Sequence, residues 1–456
     1  MGYIDDYQSS VNSKIPYDDT PIARREEPNL NSRRRKHFGE RSAPSRIFML
    51  FLAISLIINI CLCITTVYYI INGVKKTIIQ QQNQISMTGD ISSVAATTAK
   101  QSTICVSAGV ATGYRVSDEK TFYTNTLSHG AGVIYKIDRE NKFAYFITCH
   151  HVIDDYESDV YILLPNYSKP LKVNTVGYSS RFDVAVLSYS YSNSNDPIEE
   201  CNGIFDNELA PQYYESYNLA VGETVFAVGN PLPTNISYGL SITGGLVSRL
   251  NTFVKTDENN FMTREIQISA EINPGNSGGG LFNNEGKFIG IVNATRQTVK
   301  SGGTTTVVYG MSFALPGTFV VGIARSIIQE SSHKATNINL GANFTHNNDI
   351  QISYVPYPNE DSPIKFIEQF GVVVDSINAG SISSGKLQKD DIINSFTYTD
   401  RSGVVHKDVP MYNMYVFEDI SFDIKSGTDI IFNITRPATR SDMVVTIKAS
   451  ATQSFV

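Results

Sequence analysis

Residues 273–280 read Asn273-Pro274-Gly275-Asn276-Ser277-Gly278-Gly279-Gly280, a single serine in a turn crowded with glycine. Glycine takes positive φ at no steric cost and lets a backbone come close to a ligand. Such a turn presents one hydroxyl and directs N–H groups, here those of Gly275 and Ser277, toward one place. A serine hydroxyl is a weak nucleophile unless a base lies within hydrogen-bond reach. That base needs a carboxylate to hold its tautomer and stabilise the imidazolium. The attacked carbonyl needs N–H donors where its oxyanion forms. Upstream, two stretches supply these parts. Thr148-Cys149-His150-His151-Val152 closes a strand-like run, and Arg181-Phe182-Asp183-Val184-Ala185-Val186-Leu187 puts an Asp at the head of an apolar one. Each has an ordinary reading alone: a hairpin loop, a structural histidine, a capping aspartate. Together, in the order His, Asp, Ser within one β-rich region, they favour a nucleophilic catalytic set. A metal reading of His150-His151 is disfavoured. Adjacent residues on an extended strand face opposite ways, and no accompanying Cys, His or carboxylate set completes a ligand sphere.

The region around these sites, residues 104–330, alternates short runs rich in Val, Ile, Tyr and Phe with Gly, Asn, Pro and Asp. Strands are expected at Gly132–Ile137, Phe143–Thr148, Val160–Leu164, Val184–Tyr189, Thr224–Val228, Gly245–Leu250, Glu265–Ile268, Phe288–Val292 and Val307–Ser312. Short strands separated by turn residues indicate an all-β barrel or sandwich. Helical periodicity is weak until Phe319–Gln329, which reads as one helix closing the domain.

The whole chain has 456 residues, 41% hydrophobic and 18% charged, a balance that suits globular structure. Lys and Arg number 37 against 44 Asp and Glu, a net charge of −7, so a nucleic-acid-binding role is disfavoured. Five cysteines cannot form a disulfide scaffold. From Ile47 to Val74 there is no Asp, Glu, Lys or Arg, a run long enough to cross a bilayer as a helix. Arg33, Arg34, Arg35, Lys36, Arg41 and Arg46 crowd its N-terminal side, and only Lys75 and Lys76 lie close on the other. The positive-inside rule then puts the N-terminus in the cytoplasm and everything after about residue 75 outside. Residues 1–46 read as a disordered cytoplasmic tail, 47–74 as a transmembrane helix and 75–103 as a stalk. The charges on 1–46 sum to +2 and Lys75–Lys76 add +2, which leaves −11 for the exterior part.

The three sites resemble those of trypsin-like serine proteases of the HtrA/DegP type, which have a chymotrypsin fold. Four further segments carry the likeness: Gly130-Ala131-Gly132-Val133-Ile134, Val225-Phe226-Ala227-Val228-Gly229-Asn230-Pro231, Thr243-Gly244-Gly245-Leu246-Val247-Ser248 and Ser312-Phe313-Ala314-Leu315-Pro316. The resemblance implies a mainly β, double antiparallel β-barrel protease domain over 104–330. It implies His151 as general base, Asp183 as its orienter and Ser277 as nucleophile, with Gly275 and Ser277 at the oxyanion hole. The family form T-N-x-H-V selects His151 over His150. It also implies that substrate lies along Ser312, Phe313 and Ala314. Glu271 stands near the primary specificity pocket where the family has a small or apolar residue. It either tunes that pocket toward basic side chains or points away from it, the second reading being preferred.

Residues 338–448 resemble, more loosely, the family's α+β PDZ domain. Gly371-Val372-Val373-Val374 and Leu387-Gln388-Lys389-Asp390-Asp391-Ile392-Ile393 carry that likeness, with Asp390 where the family has Gly. Leu340-Gly341 corresponds to the carboxylate-binding loop. The residues and the resemblance together imply a membrane-anchored serine endopeptidase that needs no cofactor or metal and works outside the cytoplasmic membrane. Its implied partners are unfolded or damaged proteins, peptide C-termini at the PDZ-like domain, and copies of itself in a homotrimer. Two alternatives are a chaperone-like or scaffolding binder that does not cleave and a regulatory protease of narrow specificity.

Overall fold

The computed structural model describes residues 91–206, 213–231, 239–255, 262–295, 298–301, 304–307, 311–347 and 371–455. The tail and the apolar run Ile47–Val74 lie outside them. Among the described residues no helix is long and apolar enough to cross a membrane.

The first element is a helix, α1 (Ser93–Gln101), where the sequence suggested a stalk. Ser92 caps it by accepting the Ala95 N–H at 2.9 Å. Ala95 and Ala99 are buried in the hydrophobic core that fills the first barrel, so the packed fold begins well before residue 104. That barrel holds β1 (Thr103–Val110), β2 (Thr126–Asp138), β3 (Phe143–Thr148), β4 (Val160–Leu163), β5 (Leu171–Ser179) and β6 (Val184–Ser190), closed in the order β1-β2-β3-β6-β5-β4. A short helix, α2 (Glu119–Thr124), links β1 to β2 under an Asp118 cap. Ile104, Val106, Phe146, Ile147 and Val186 are wholly buried. Closure leaves no open edge, which an exposed sheet of this composition would need to protect.

The second barrel uses β7 (Thr224–Gly229), β8 (Ser241–Lys255), β9 (Met262–Ile268), β10 (Gly280–Asn283), β11 (Phe288–Thr295) and β14 (Ser312–Pro316), closed as β10-β11-β14-β9-β8-β7. Strands β12 (Thr298–Ser301) and β13 (Thr304–Val307) pair as a separate ribbon. The expected strand Val307–Ser312 is therefore split, with β14 starting at its last residue. The molecule is mainly β, with two six-stranded barrels in the chymotrypsin-like manner. A helix follows, α3 (Gly317–Gln329), and its Phe319, Val320, Ile323 and Ile327 pack onto the first barrel's core.

Beyond it come β15 (Ala335–Ile338), β16 (Ala342–Asn347), β17 (Gly371–Ile377), β18 (Ile392–Thr399), β19 (Val405–Pro410), α4 (Val416–Ser421), β20 (Asp429–Arg436), β21 (Ser441–Lys448) and β22 (Ala451–Phe455). Strands β16 to β21 make one sheet in the order β16-β17-β18-β20-β21, with β19 beside β18. This sheet has its own core, centred on Val374, Phe396, Val416, Ile430 and Phe432. The chain then returns. β22 pairs with β15, and Phe455 packs edge-on against Phe182 with ring centroids 5.0 Å apart. The end of the chain thus braces the residue next to Asp183, which no sequence pattern had suggested.

Candidate active site

Strand β3 ends at Thr148, whose hydroxyl donates to Ala131 O at 2.7 Å. After Cys149 the chain tightens into a single 3-10 turn, His150–Val152. The two histidines do face different ways, but a helical turn separates them and not a strand pleat. His150 is buried, with its ring stacked on Tyr178 at a centroid distance of 4.1 Å. Its Nε2 faces Asp154 at 3.7 Å and Glu157 at 3.5 Å. His151 is half exposed, the side chain retaining 48% of its accessible surface.

Asp183 heads β6 with φ = 54°, a left-handed conformation that Asp tolerates better than most residues. Both of its carboxylate oxygens are used on one residue. Oδ1 accepts the His151 backbone N–H at 2.8 Å, and Oδ2 lies 2.6 Å from His151 Nδ1. A carboxylate only accepts, so Nδ1 carries the proton and the neutral ring presents a lone pair at Nε2. Burial pulls the His151 pKa down, but the Asp183 charge and hydrogen bond pull it up further, and the net direction is up.

Ser277 sits where the barrels meet. Its carbonyl accepts the Ala131 N–H at 2.8 Å, and Gly278 N–H donates to Val292 O at 2.8 Å. Gly278 has φ = 81°, and a Cβ there would lie 2.3 Å from Ala131 O and 2.4 Å from Thr148 Oγ1. Only glycine lets the turn dock on the strand end that carries the histidines. Gly275 also has positive φ, 97°. Neither the Gly275 nor the Ser277 N–H donates to any group among the described residues. The Ser277 hydroxyl donates to Asn293 O at 3.3 Å. Among the described residues no hydrogen bond joins it to His151.

Cys149 lies two residues before His151 and would be a nucleophile if ionised. Its thiol is fully buried and donates to Val292 O at 3.4 Å. Burial first, then the nearby Asp183 and Glu265 charges, push its pKa well up, so it stays a neutral thiol. Glu271 is exposed, which removes the reason to expect a buried carboxylate in need of a cation. Ser312, Phe313 and Ala314 are buried, and β14 is paired on both edges. Phe313 lies between Gln267 of β9 and Ala294 of β11. A peptide cannot join it there as a further strand, because its backbone donors and acceptors are already taken. Two residues went unremarked in the sequence. Asn293 supplies the carbonyl that holds the Ser277 hydroxyl, and Glu265 is wholly buried beside it. The one available signal was a charged residue inside the apolar run leading to the serine turn.

Two closed six-stranded barrels with this serine turn at their junction define a trypsin-like peptidase domain, and a family model for that domain matches residues 130–291. A serine protease Do-like HtrA of Lactobacillus helveticus is 36% identical over 225 residues, covering 49% of this chain and 48% of that protein. Its counterpart in Lactococcus lactis subsp. cremoris is 29% identical over 331 residues, covering 71% of this chain and 74% of that protein. In Lactococcus lactis subsp. lactis the figures are 33% over 272 residues, 58% and 60%. The chain spans about half the length of the Lactobacillus protein. A solved HtrA-type protease, AlgW with tripeptide, superposes at a TM-score of 0.44 with 20% identity, over 79% of this chain and 97% of that one, too loosely to carry an argument. Residues 130–291 thus match a trypsin-like peptidase domain, and the chain is similar to serine proteases of the HtrA type.

Proposed function

We propose that this chain hydrolyses peptide bonds through a His151–Asp183–Ser277 triad, by way of an acyl-enzyme. The observation that carries the reading is the double grip of Asp183 on His151, at Nδ1 and at the backbone N–H, which orients the ring and leaves Nε2 as an acceptor. In this reaction His151 Nε2 takes the Ser277 proton as Oγ attacks the substrate carbonyl. Asp183 stabilises the resulting imidazolium. The N–H groups of Gly275 and Ser277, free of other acceptors among the described residues, bind the oxyanion. The imidazolium then protonates the leaving amine, and water, activated by the same base, releases the acid. No cofactor enters the balance. The Ser277 hydroxyl must swing from Asn293 O toward His151, a rotation about one side-chain bond. Catalytic hydrogen bonds often tighten only when substrate is bound.

The same reading takes Ile47–Val74 as a membrane anchor with the tail inside, and puts the barrels outside the cytoplasmic membrane. Unfolded or damaged proteins are the substrates, in keeping with the family. The C-terminal sheet works as a PDZ-like peptide binder. Its supporting features are the edge strand β16, paired only with β17 among the described residues, and a groove of about 350 Å³ beside it, lined by Leu340, Phe344, Tyr415 and Phe417 among others. An extended peptide added to β16 would lie against α4. Assembly into trimers follows the family.

The test is casein digestion by the full chain in detergent, with Ser277→Ala alongside. The variant is expected to lose cleavage and keep its melting transition, since Ser277 is only partly buried. Digestion at the parental rate by Ser277→Ala would sink the triad.

A further inference from the structure

The second barrel carries a buried carboxylate that the triad does not use. Glu265 lies on β9 with no exposed surface. Its Oε1 accepts from Thr263 Oγ1 at 2.6 Å and from Asn293 Nδ2 at 2.8 Å. Its Oε2 is buried without a hydrogen-bond partner. Among the described residues it forms no ion pair. Arg264, its neighbour in sequence, turns the other way, to Asn251 and to Asp419 of α4. A carboxylate buried with one open oxygen and no cation is costly, and a position of this kind calls for a reason beyond packing.

The contacts run from Glu265 to the reacting groups in two short paths. One passes through Asn293, whose side chain is held by Glu265 and whose carbonyl accepts the Ser277 hydroxyl at 3.3 Å. The other passes from the Asn293 side chain to the Cys149 thiol at 3.9 Å, and Cys149 precedes the 3-10 turn that carries His151. The titratable groups that act on Glu265 through their charge, or feel its charge, are Cys149 at the end of β3, His151 in that turn and Asp183 at the head of β6. Its own strand contributes the Thr263 hydroxyl and β11 contributes Asn293.

We propose that Glu265 is a positioning residue of this active site: it fixes Asn293, and with it the resting Ser277 hydroxyl, and its negative charge supports the imidazolium of His151 from the second barrel. The proposal rests on the reading of Ser277 and His151 as nucleophile and base. It assigns the second barrel a carboxylate partner for a histidine whose first partner, Asp183, comes from the first. Burial pushes the Glu265 carboxyl up, to about 7, against the pull of the Thr263 and Asn293 hydrogen bonds, while Asp183 raises it and His151 lowers it. Protonation of Glu265 then removes its support while protonation of His151 removes the base, so the acid side of the pH profile is steeper than one proton alone gives.

The experiment is the pH dependence of kcat/KM for the full chain in detergent on a fluorogenic peptide cut by the parent. The parent is expected to show an acid limb steeper than one proton gives. Glu265→Gln can keep the Thr263 and Asn293 contacts at its carbonyl oxygen and has no charge. Its limb should become a one-proton limb and move to lower pH, with kcat/KM on the plateau down roughly tenfold. Thr263→Val removes a donor to the charged form and should move the acid limb upward. A merely structural role would lower activity equally at every pH. Superimposable acid limbs for parent and Glu265→Gln overturn the proposal. If Glu265→Gln does not fold, Thr263→Val decides, and an unmoved limb overturns it. A parent whose cleavage survives Ser277→Ala refutes the reading beneath, a result distinct from either.

Discussion

Two seams run through this molecule, and they differ in how they pair their charges. Where the barrels meet, groups are left open. Among the described residues the Gly275 and Ser277 N–H groups have no acceptor, Glu265 Oε2 has no donor, and half of His151 faces solvent. Where the barrels meet the C-terminal sheet, the arginines have carboxylate partners, although Asp423 Oδ1 and Arg264 Nε are buried without a hydrogen bond. Arg325 of α3 donates to Asp400 at 3.0 Å, to Asp423 at 2.7 Å and to the Tyr135 hydroxyl at 3.1 Å. Arg401 reaches back to Glu330 at 2.7 Å, and Arg264 pairs with Asp419 beneath the Tyr415 ring. Both seams are buried enough that an unmatched group is costly. The difference marks what each is for. A surface that only joins two bodies gains by pairing its charges. A surface that must receive a charge formed during reaction has to keep donors vacant and directed beforehand.

The largest effects should come from the open seam. Asp183→Asn keeps the shape but favours the wrong tautomer, and activity should fall about 10⁴-fold. His151→Ala should be as damaging as loss of Ser277, because the members of the proposed triad would act as a unit. His150→Ala should cost far less, since that ring is turned away to Tyr178. Equal losses in the two histidine variants, read as single-turnover rates on one peptide, would break the assignment of the base.

At the matched seam the expected loss is in stability. Arg325→Met leaves Asp423 buried without its cation and Asp400 with His406 alone, a change that costs about 3–5 kcal/mol when a buried pair is broken. Urea melts would show it as a lower midpoint for the C-terminal transition. A midpoint within error of the parent would mean that the seam is not a stabilising one.

A smaller effect concerns pH. His406 lies 3.1 Å from Asp400 and stacks on Tyr398. The Asp400 hydrogen bond raises its pKa above the ordinary 6.5, against the effect of burial. A raised histidine contributes stability that is complete below its unfolded value and is lost as pH rises through the folded one. The melting temperature should therefore fall as pH climbs past 6.5, and His406→Gln should remove that slope. A parent curve that rises over this range would reverse the sign. The smallest effect is expected at Glu271. Its exposure predicts that Glu271→Ala leaves side-chain preference unchanged in a randomised peptide library, and loss of a basic preference would contradict this.

Much of the site was legible because its chemistry is local. The glycines around Ser277 are needed within a few residues of it, and a strand opening on Asp183 or closing at Thr148 shows in its own apolar run. The helix expected at Phe319–Gln329 differs from α3 by two residues at its start. Other elements were hidden for physical reasons. β1 and β5 mix small and polar residues, and only their barrel neighbours make them strands. α1 is weakly amphipathic, and its Ala95 and Ala99 are too small to mark a buried face. The run taken as a substrate strand, Ser312–Ala314, proved to be an interior strand, because an apolar pattern records burial and says nothing about which backbone edge is vacant.

The sequence alone determined an all-β barrel or sandwich, the order His, Asp, Ser and the glycines that the serine turn requires, since each depends on residue type over a short span. Only the tertiary structure decided which groups are left unmatched. The 3-10 turn separates His150 from His151, Phe455 returns to brace Phe182, and Glu265 and Asn293 come together from β9 and β11 beneath Ser277. Hydrogen-bond satisfaction and desolvation are properties of the space around an atom, and that space is filled by segments far apart in the chain.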